Sequence, residues 1–258
     1  MSEISHSLPD MDCAQFCGMM SSILTSPDMS EKVKIPDGAG EKLYALVSYM
    51  LAYNAHTNLT AITDARQIIT RHIIDSLTIA RHVPLNCKFA DIGSGAGFPS
   101  LPLAIVRDDV SIVAMESISK KCAYMESASK EFALNNVRVM NCRAEEAAFD
   151  TEMRESFDVC TARAVSSLDV IAELCLPYVK VGGVFIAMKS KMTLSEEVEK
   201  AKNAVKTLGG EMETTDEFEI PEIDSDEKLG RALIIIRKKG ETDKKYPRKY
   251  SQITRKPL

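Results

Sequence analysis

The strongest chemical signal in the chain is the stretch Lys88-Phe-Ala-Asp-Ile-Gly-Ser-Gly-Ala-Gly-Phe98. An apolar run that reads as a strand passes Asp91. Gly93, Ser94, Gly95 and Gly97 then follow, before a helix expected to begin near Pro99. Glycines let the backbone turn tightly and approach a ligand, and a helix N-terminus presents unbonded N–H groups. A dinucleotide loop requires G-x-G-x-x-G, but Phe98 stands where its third glycine would fall. A P-loop requires Lys and Ser or Thr directly after its glycines, and no such pair follows. With no pyrophosphate to cradle, Gly-x-Gly-x-Gly suits the methionine part of S-adenosyl-L-methionine.

Further polar groups fall at the ends of successive apolar runs. Glu116 ends the second, where a carboxylate can accept hydrogen bonds from both ribose hydroxyls. After the third comes Asn141-Cys-Arg143-Ala-Glu145-Glu146, whose backbone and carboxylates can meet an adenine. The fourth ends in Asp158-Val-Cys-Thr-Ala-Arg163-Ala. It has no Asn/Asp-Pro-Pro-Tyr motif of the kind used to methylate exocyclic amines. Cys160 lies inside an apolar run without an adjacent proline, which argues against a nucleophile. Arg163 is a permanent cation at the rim, able to hold a cofactor or a phosphate.

The elements that must position these groups alternate. Short apolar runs at 89–92, 110–115, 137–140, 157–161 and 184–188 are separated by amphipathic stretches such as 119–134 and 167–176, the pattern of a parallel, doubly wound sheet. Runs near 213–220 and at 231–237 have no helix between them and read as an antiparallel pair. Five βα steps closed by such a hairpin are the plan of a class I methyltransferase, an α/β Rossmann-like fold with a mainly parallel seven-stranded sheet and one antiparallel strand. Before it, helices are expected at 11–24, 41–55 and 71–82, the last with Ile69, Ile73, Leu77 and Ala80 along one face. Residues 1–84 thus read as a helical region packing on the core, 85–240 as the cofactor-binding core and 241–258 as a basic tail. The first half-dozen residues or more read as disordered.

Composition sets limits on the setting. At 45% hydrophobic and 27% charged the chain reads as an ordinary globular protein. No apolar run approaches the ~18 residues of a membrane span, and the N-terminus lacks the pattern of a signal peptide, so a cytoplasmic protein is expected. Seven cysteines without a C-x-x-C pair read as reduced packing residues, not as a zinc or redox site. The net charge of −5 argues against a general nucleic-acid binder. The charge is uneven, however: residues 244–258 hold six basic side chains and no acid. Tyr246 and Tyr250 are interleaved with these cations, so the tail can pair with phosphates and stack on unpaired bases.

On these residues the chain resembles the bacterial ribosomal RNA small-subunit methyltransferase G family, also called glucose-inhibited division protein B. The resemblance runs from about Tyr44 onward. It includes Asn58-Leu-Thr60, Arg71-His-Ile-Ile-Asp-Ser-Leu77, Asp91-Ile-Gly-Ser-Gly-Ala-Gly-Phe-Pro-Ser-Leu-Pro-Leu103, Arg143-Ala-Glu-Glu146, Thr161-Ala-Arg-Ala164, Gly182-Gly183 and Lys245-Tyr-Pro-Arg-Lys249. It implies methyl transfer from S-adenosylmethionine to N7 of one guanine in 16S ribosomal RNA, near the decoding centre. It further implies that Gly93, Phe98, Ala144, Glu145 and Arg163 contact the cofactor and that Glu116 holds the ribose. The sequence departs from the family at Ser100, usually Gly, and at Ser251 and Ile253, usually Gly and Pro.

Guanine N7 carries a free lone pair, so no base has to remove a proton first and no metal is expected. Positioning can then carry catalysis, and no catalytic residue is assigned. Arg71, His72 and Asp75 on one helical stretch, Lys189 after the fifth strand, and Lys245, Tyr246, Arg248 and Lys249 in the tail are candidates for holding RNA. The expected partner is ribosomal RNA or an assembling ribosomal particle, bound by a monomer. The rival readings are an NAD-dependent oxidoreductase, opposed by the early third glycine and the terminal hairpin, and a noncatalytic nucleotide sensor or RNA-binding module.

Overall fold

In the computed structural model, which describes Leu8 and residues 10–258, the apolar runs form seven strands: β1 (Lys88–Ile92), β2 (Ser111–Glu116), β3 (Val137–Asn141), β4 (Phe157–Arg163), β5 (Val179–Ser190), β6 (Gly210–Pro221) and β7 (Lys228–Lys238). They make one sheet in the order β3-β2-β1-β4-β5-β7-β6. Strands β1 to β5 pair in parallel, whereas β7 runs antiparallel to both β5 and β6. One strand therefore opposes the rest, as expected. The chain moves outward from β1 first to one side and then to the other. The switch point of the sheet lies between β1 and β4, and ligands of open α/β sheets bind in the crevice at that point. The glycine loop and Arg163 leave the sheet there.

Side chains alternate across a strand with period two, and here the alternation divides the core. Phe89, Ile112, Ala114, Val159, Val184 and Ile186 face one layer. Ala90, Ile92, Val113, Met115, Cys160, Phe185 and Ala187 face the other. The first layer holds α1 (Cys13–Leu24), α2 (Ala39–Thr57), the helical segment of residues 65–82, α5 (Ser100–Val106) and α6 (Ser119–Glu131). The second holds α7 (Ala144–Ala147), α8 (Leu168–Cys175) and α9 (Leu194–Thr207). All seven cysteines are free, and Cys87, Cys122, Cys160 and Cys175 are buried. The disorder expected at the extreme N-terminus concerns residues outside those described, apart from Leu8.

One expectation needs correction. The helix expected at 71–82 is not uniform: α3 (Ala65–Ile68) runs into a π-helical turn (Ile69–Ile74), a single α turn α4 (Asp75–Leu77) and a 3-10 turn (Thr78–His82). Ile69, Ile73 and Leu77 are fully buried, as the spacing predicts, but Ala80 is only half-buried. The π turn carries an extra residue per turn, a feature frequent at functional sites, and it holds Arg71 and His72. The basic tail is packed. Tyr246 and Ile253 lie within the second core layer, and a short helix α10 (Tyr250–Arg255) completes the chain.

Candidate functional site

The glycine loop is fastened to β2 by its own backbone. Gly93 and Ser94 N–H groups both donate to the Met115 carbonyl, at 2.9 and 3.0 Å. Gly93 and Gly97 have φ values of 73° and 82°, in the left-handed region where a side chain is strained. Space excludes a side chain as well: a Cβ would lie 2.7 Å from Val165 Cγ2 at Gly93 and 2.5 Å from Leu101 Cδ1 at Gly97. Gly95, with φ 60°, differs, because a Cβ there meets only the Gly93 carbonyl, at 3.9 Å. What lies before Gly95 is open space.

That space is a cavity of about 400 Å³, and it gathers the expected cofactor residues. Gly93, Ser94, Gly95, Phe98, Glu116, Ala144, Glu145 and Arg163 line it; Gly97 does not, since it supports the turn. Glu116 is nearly buried. Its Oε2 accepts the Gly95 N–H at 3.1 Å and its Oε1 the Ile118 N–H at 2.9 Å, so the acid shapes the loop it faces. Ser117 Oγ donates to Oε1 as well, at 3.4 Å, and since a carboxylate has about four lone-pair sites, one is left on Oε2 for a further donor. At the root of the loop Asp91 is fully buried. Ser100 Oγ donates to its Oδ2 at 2.6 Å, while Oδ1 has no partner. Burial pushes the Asp91 carboxyl up to about 6 against the opposing Ser100 bond. Asp91 was visible in the glycine motif but was not singled out as a site residue.

A second cavity, of about 440 Å³, adjoins the first and shares His72, Arg163 and Ala164 with it. Arg71, Asp75 and Lys189, three residues far apart in sequence or not on one regular helix face, all line it together with His72. Buried Asp75 holds two arginines: Arg163 Nη1 lies 3.0 Å from its Oδ2 and Arg231 Nε 3.0 Å from its Oδ1. Arg163 Nη1 also donates to the Arg71 carbonyl at 2.9 Å. His72 is stacked on Phe98 with ring centroids 4.6 Å apart, and the Arg163 guanidinium lies over the Phe98 ring at 5.5 Å. His72 Nδ1–H can donate only to the Arg71 carbonyl, 3.2 Å away, so its Nε2 accepts from Thr60 Oγ1 at 3.0 Å. Burial first, and then the nearby Arg163 charge, lower the His72 imidazole to about 4 and keep it neutral.

Several cations expected at RNA prove to be engaged within the protein. Arg71 pairs with Glu222 at 2.8 Å and Lys189 with Glu197 at 2.6 Å, although both still line the second cavity. Arg248 donates through its backbone N–H, Nε and Nη2 to the fully buried Glu173. Tyr246 is buried, so its ring cannot stack on a base. These two tail residues are structural anchors, whereas Lys245 and Lys249 are exposed. Arg231, Thr60, Leu59 and Tyr250 line the cavities without having been expected there. Asn58-Leu-Thr60 was visible as a motif without a stated role. Arg231 and Tyr250 reach the site through strand pairing and tail packing, which no local pattern encodes.

A sheet with one reversed strand, a glycine loop after β1 and an acid ending β2 define the class I methyltransferase fold. Among solved structures the chain resembles TYW2 of M. jannaschii in complex with AdoMet, with a TM-score of 0.50 and 16% identity over 64% of this chain and 76% of that one. A second structure, from Pyrococcus horikoshii, matches with a TM-score of 0.52 and 15% identity over 68% and 64% of the two chains. Identities this low speak for the fold alone. The family model for rRNA small subunit methyltransferase G matches residues 39–224. Proteins called ribosomal RNA small subunit methyltransferase G are 40% identical in Clostridium tetani, over 82% of this chain and 87% of that protein, and 39% identical in Acetivibrio thermocellus, over 88% and 91%. The chain belongs to the rRNA small subunit methyltransferase G family.

Proposed function

We propose that the chain transfers the methyl group of S-adenosylmethionine to N7 of one guanine in small-subunit ribosomal RNA, near the decoding centre. The observation that carries this reading is the meeting of two cavities at a common wall of Arg163, His72 and Ala164. The first has the features the cofactor needs. Its volume suits a ligand of that size, Gly95 leaves a cradle that a side chain would fill, and Glu116 retains a lone pair for a ribose hydroxyl. When bound, S-adenosylmethionine supplies a methyl group already activated on a sulfonium.

The second cavity suits a purine base. Arginine is the side chain that most often pairs with guanine O6, and Asp75 holds Arg163 and Arg231 at fixed places in the wall. A base held by a single donor through O6 alone, without the second bond to N7, keeps N7 free to meet the first cavity. His72, neutral and bonded through both nitrogens, orients this wall and has no proton to take from N7. The chain therefore acts by alignment and by fixed charge. Exposed Lys245 and Lys249 are suited to ribosomal RNA phosphates. One chain lines both cavities, in keeping with a monomer, and the reading implies work in the bacterial cytoplasm on ribosomal RNA or a particle containing it.

Calorimetric titration tests the cofactor assignment. S-adenosylmethionine and S-adenosylhomocysteine should bind with one site per chain, and NADH should not. Protein that binds neither class of ligand contradicts the assignment.

A further inference from the structure

Of the described residues beyond 241, Tyr250 alone lines the first cavity. The residue is 37% exposed, yet the residues around it are fixed. On one side Arg248 is clamped to buried Glu173 by four contacts of 2.6–3.2 Å. On the other, Ile253 is fully buried. Arg248 Nη1 also donates to the Lys256 carbonyl at 3.1 Å, which ties the two ends of the segment together. Tyr250 is thus an aromatic ring carried to the cavity mouth on a rigid strap.

The strap approaches from one identifiable side. Its anchors Tyr246 and Ile253 belong to the core layer against which Cys142 and Ala144 are packed, together with Val165 beside Gly93. Glu173, which holds Arg248, precedes Leu174, a residue of the cavity lining. Tyr178, just beyond α8, donates its hydroxyl to the Ala144 carbonyl at 2.6 Å. By contrast Leu59 and Phe98, at the loop end of the cavity, belong to the opposite core layer. Tyr250 therefore enters the cavity from the sheet face that also carries the turn after β3.

We propose that Tyr250 stacks on the adenine ring of the bound cofactor. The proposal rests on the cofactor reading above: with the methionine end at the glycine loop and the ribose at Glu116, the purine falls at the turn after β3. A purine offers a flat π-face to any aromatic ring and needs no specific hydrogen bond. The strap also depends on Ser251 and Ile253. The Ile253 N–H donates to the Lys249 carbonyl at 3.1 Å, a bond that proline could not make. A glycine in place of Ser251 would weaken so short a helix. Ser251 and Ile253 permit α10, and α10 begins with Tyr250.

The chain contains no tryptophan, so Tyr250→Trp introduces a single fluorescent reporter at the position in question. Its emission should be quenched by S-adenosylhomocysteine, saturating at the affinity that calorimetry gives. Tyr250→Phe should bind S-adenosylhomocysteine as wild type does, and Tyr250→Ala should bind roughly tenfold more weakly, with an unchanged circular dichroism spectrum and melting midpoint. If wild type binds S-adenosylhomocysteine while the indole emission of the Tyr250→Trp variant stays constant and the alanine variant binds equally well, the proposal is overturned and the cofactor reading stands. Emission that responds to a small-subunit RNA fragment and not to S-adenosylhomocysteine also overturns it, by turning the ring toward RNA. Wild type that fails to bind S-adenosylhomocysteine removes the cofactor reading and this proposal with it.

Discussion

Arg163 Nη1 lies 3.0 Å from the buried carboxylate of Asp75, and that ion pair stands in the wall between two neighbouring cavities. Asp75 also holds Arg231, so one acid fixes two guanidinium groups. Removing its charge should disturb alignment more than binding. Asp75→Asn is expected to lower the rate of methyl transfer roughly a hundredfold, the scale of a misplacement near 1 Å, with a much smaller loss of S-adenosylhomocysteine affinity. Single-turnover kinetics and calorimetry on the same preparation check this. Equal losses in both would mean that Asp75 merely supports the cofactor wall.

Gly95 differs from its neighbours in what replacement should do. A Cβ at Gly93 or Gly97 would collide with Val165 or Leu101, whereas one at Gly95 enters open space. Gly95→Val adds a branched side chain at φ 60°, with backbone strain of roughly 1–3 kcal/mol, and fills the cradle. It should fold, melt somewhat earlier and no longer bind S-adenosylhomocysteine. Retained binding would show that the cradle is not where the cofactor sits.

The tail is a stability element. Glu173 is fully buried and Arg248 is its ion-pair partner. Breaking a buried pair from one side leaves a charge uncompensated, at a cost of about 3–5 kcal/mol. Arg248→Ala should therefore unfold at markedly lower urea concentration. The exposed Lys249→Ala should shift stability by less than about 0.5 kcal/mol. Equal effects would contradict the packing described here.

What the sequence revealed follows from what is local. Short apolar runs announced β1 to β5 and β7, and the compact glycine spacing announced the loop, because both are set by residues next to one another. Glu116 was legible for the same reason, since it ends a strand. The π turn at Ile69–Ile74 was not: its apolar spacing is also compatible with an α-helix, and packing decides between them. The packing of the tail was not legible because six cations dominate its composition, while the partner of one of them, Glu173, lies 75 residues earlier. Arg231 was read only as part of a strand. Its place beside Asp75 follows from the pairing of β7 with β5, which brings Arg231 opposite Ser190.

His72 makes a pH-dependent contribution whose sign is fixed by its environment. Its imidazole titrates near 4 when folded and near 6.5 in its ordinary state. The unfolded chain thus takes up the proton first as pH falls, and stability contributed above 6.5 is lost between 6.5 and 4, by roughly 3 kcal/mol at most. Asp91 works in the opposite sense: its raised carboxyl favours the folded state more as pH drops from 6 toward 3.8. Comparing wild type with His72→Asn isolates the first effect. The stability difference between the two should change across pH 4–6.5 and be flat above it. A difference that stays constant would contradict a buried neutral His72.

Transfer of a labelled methyl group tests the central claim most directly. Protein, S-adenosylmethionine labelled on its methyl group, and small-subunit ribosomal RNA or particles from a strain lacking the gene are incubated together, and the RNA is then reduced and treated with aniline. The label should enter the RNA at one guanine, and aniline should cleave the chain there, as it does at N7-methylguanine. RNA that takes up no label, or that carries the label without a new cleavage site, would contradict the assignment.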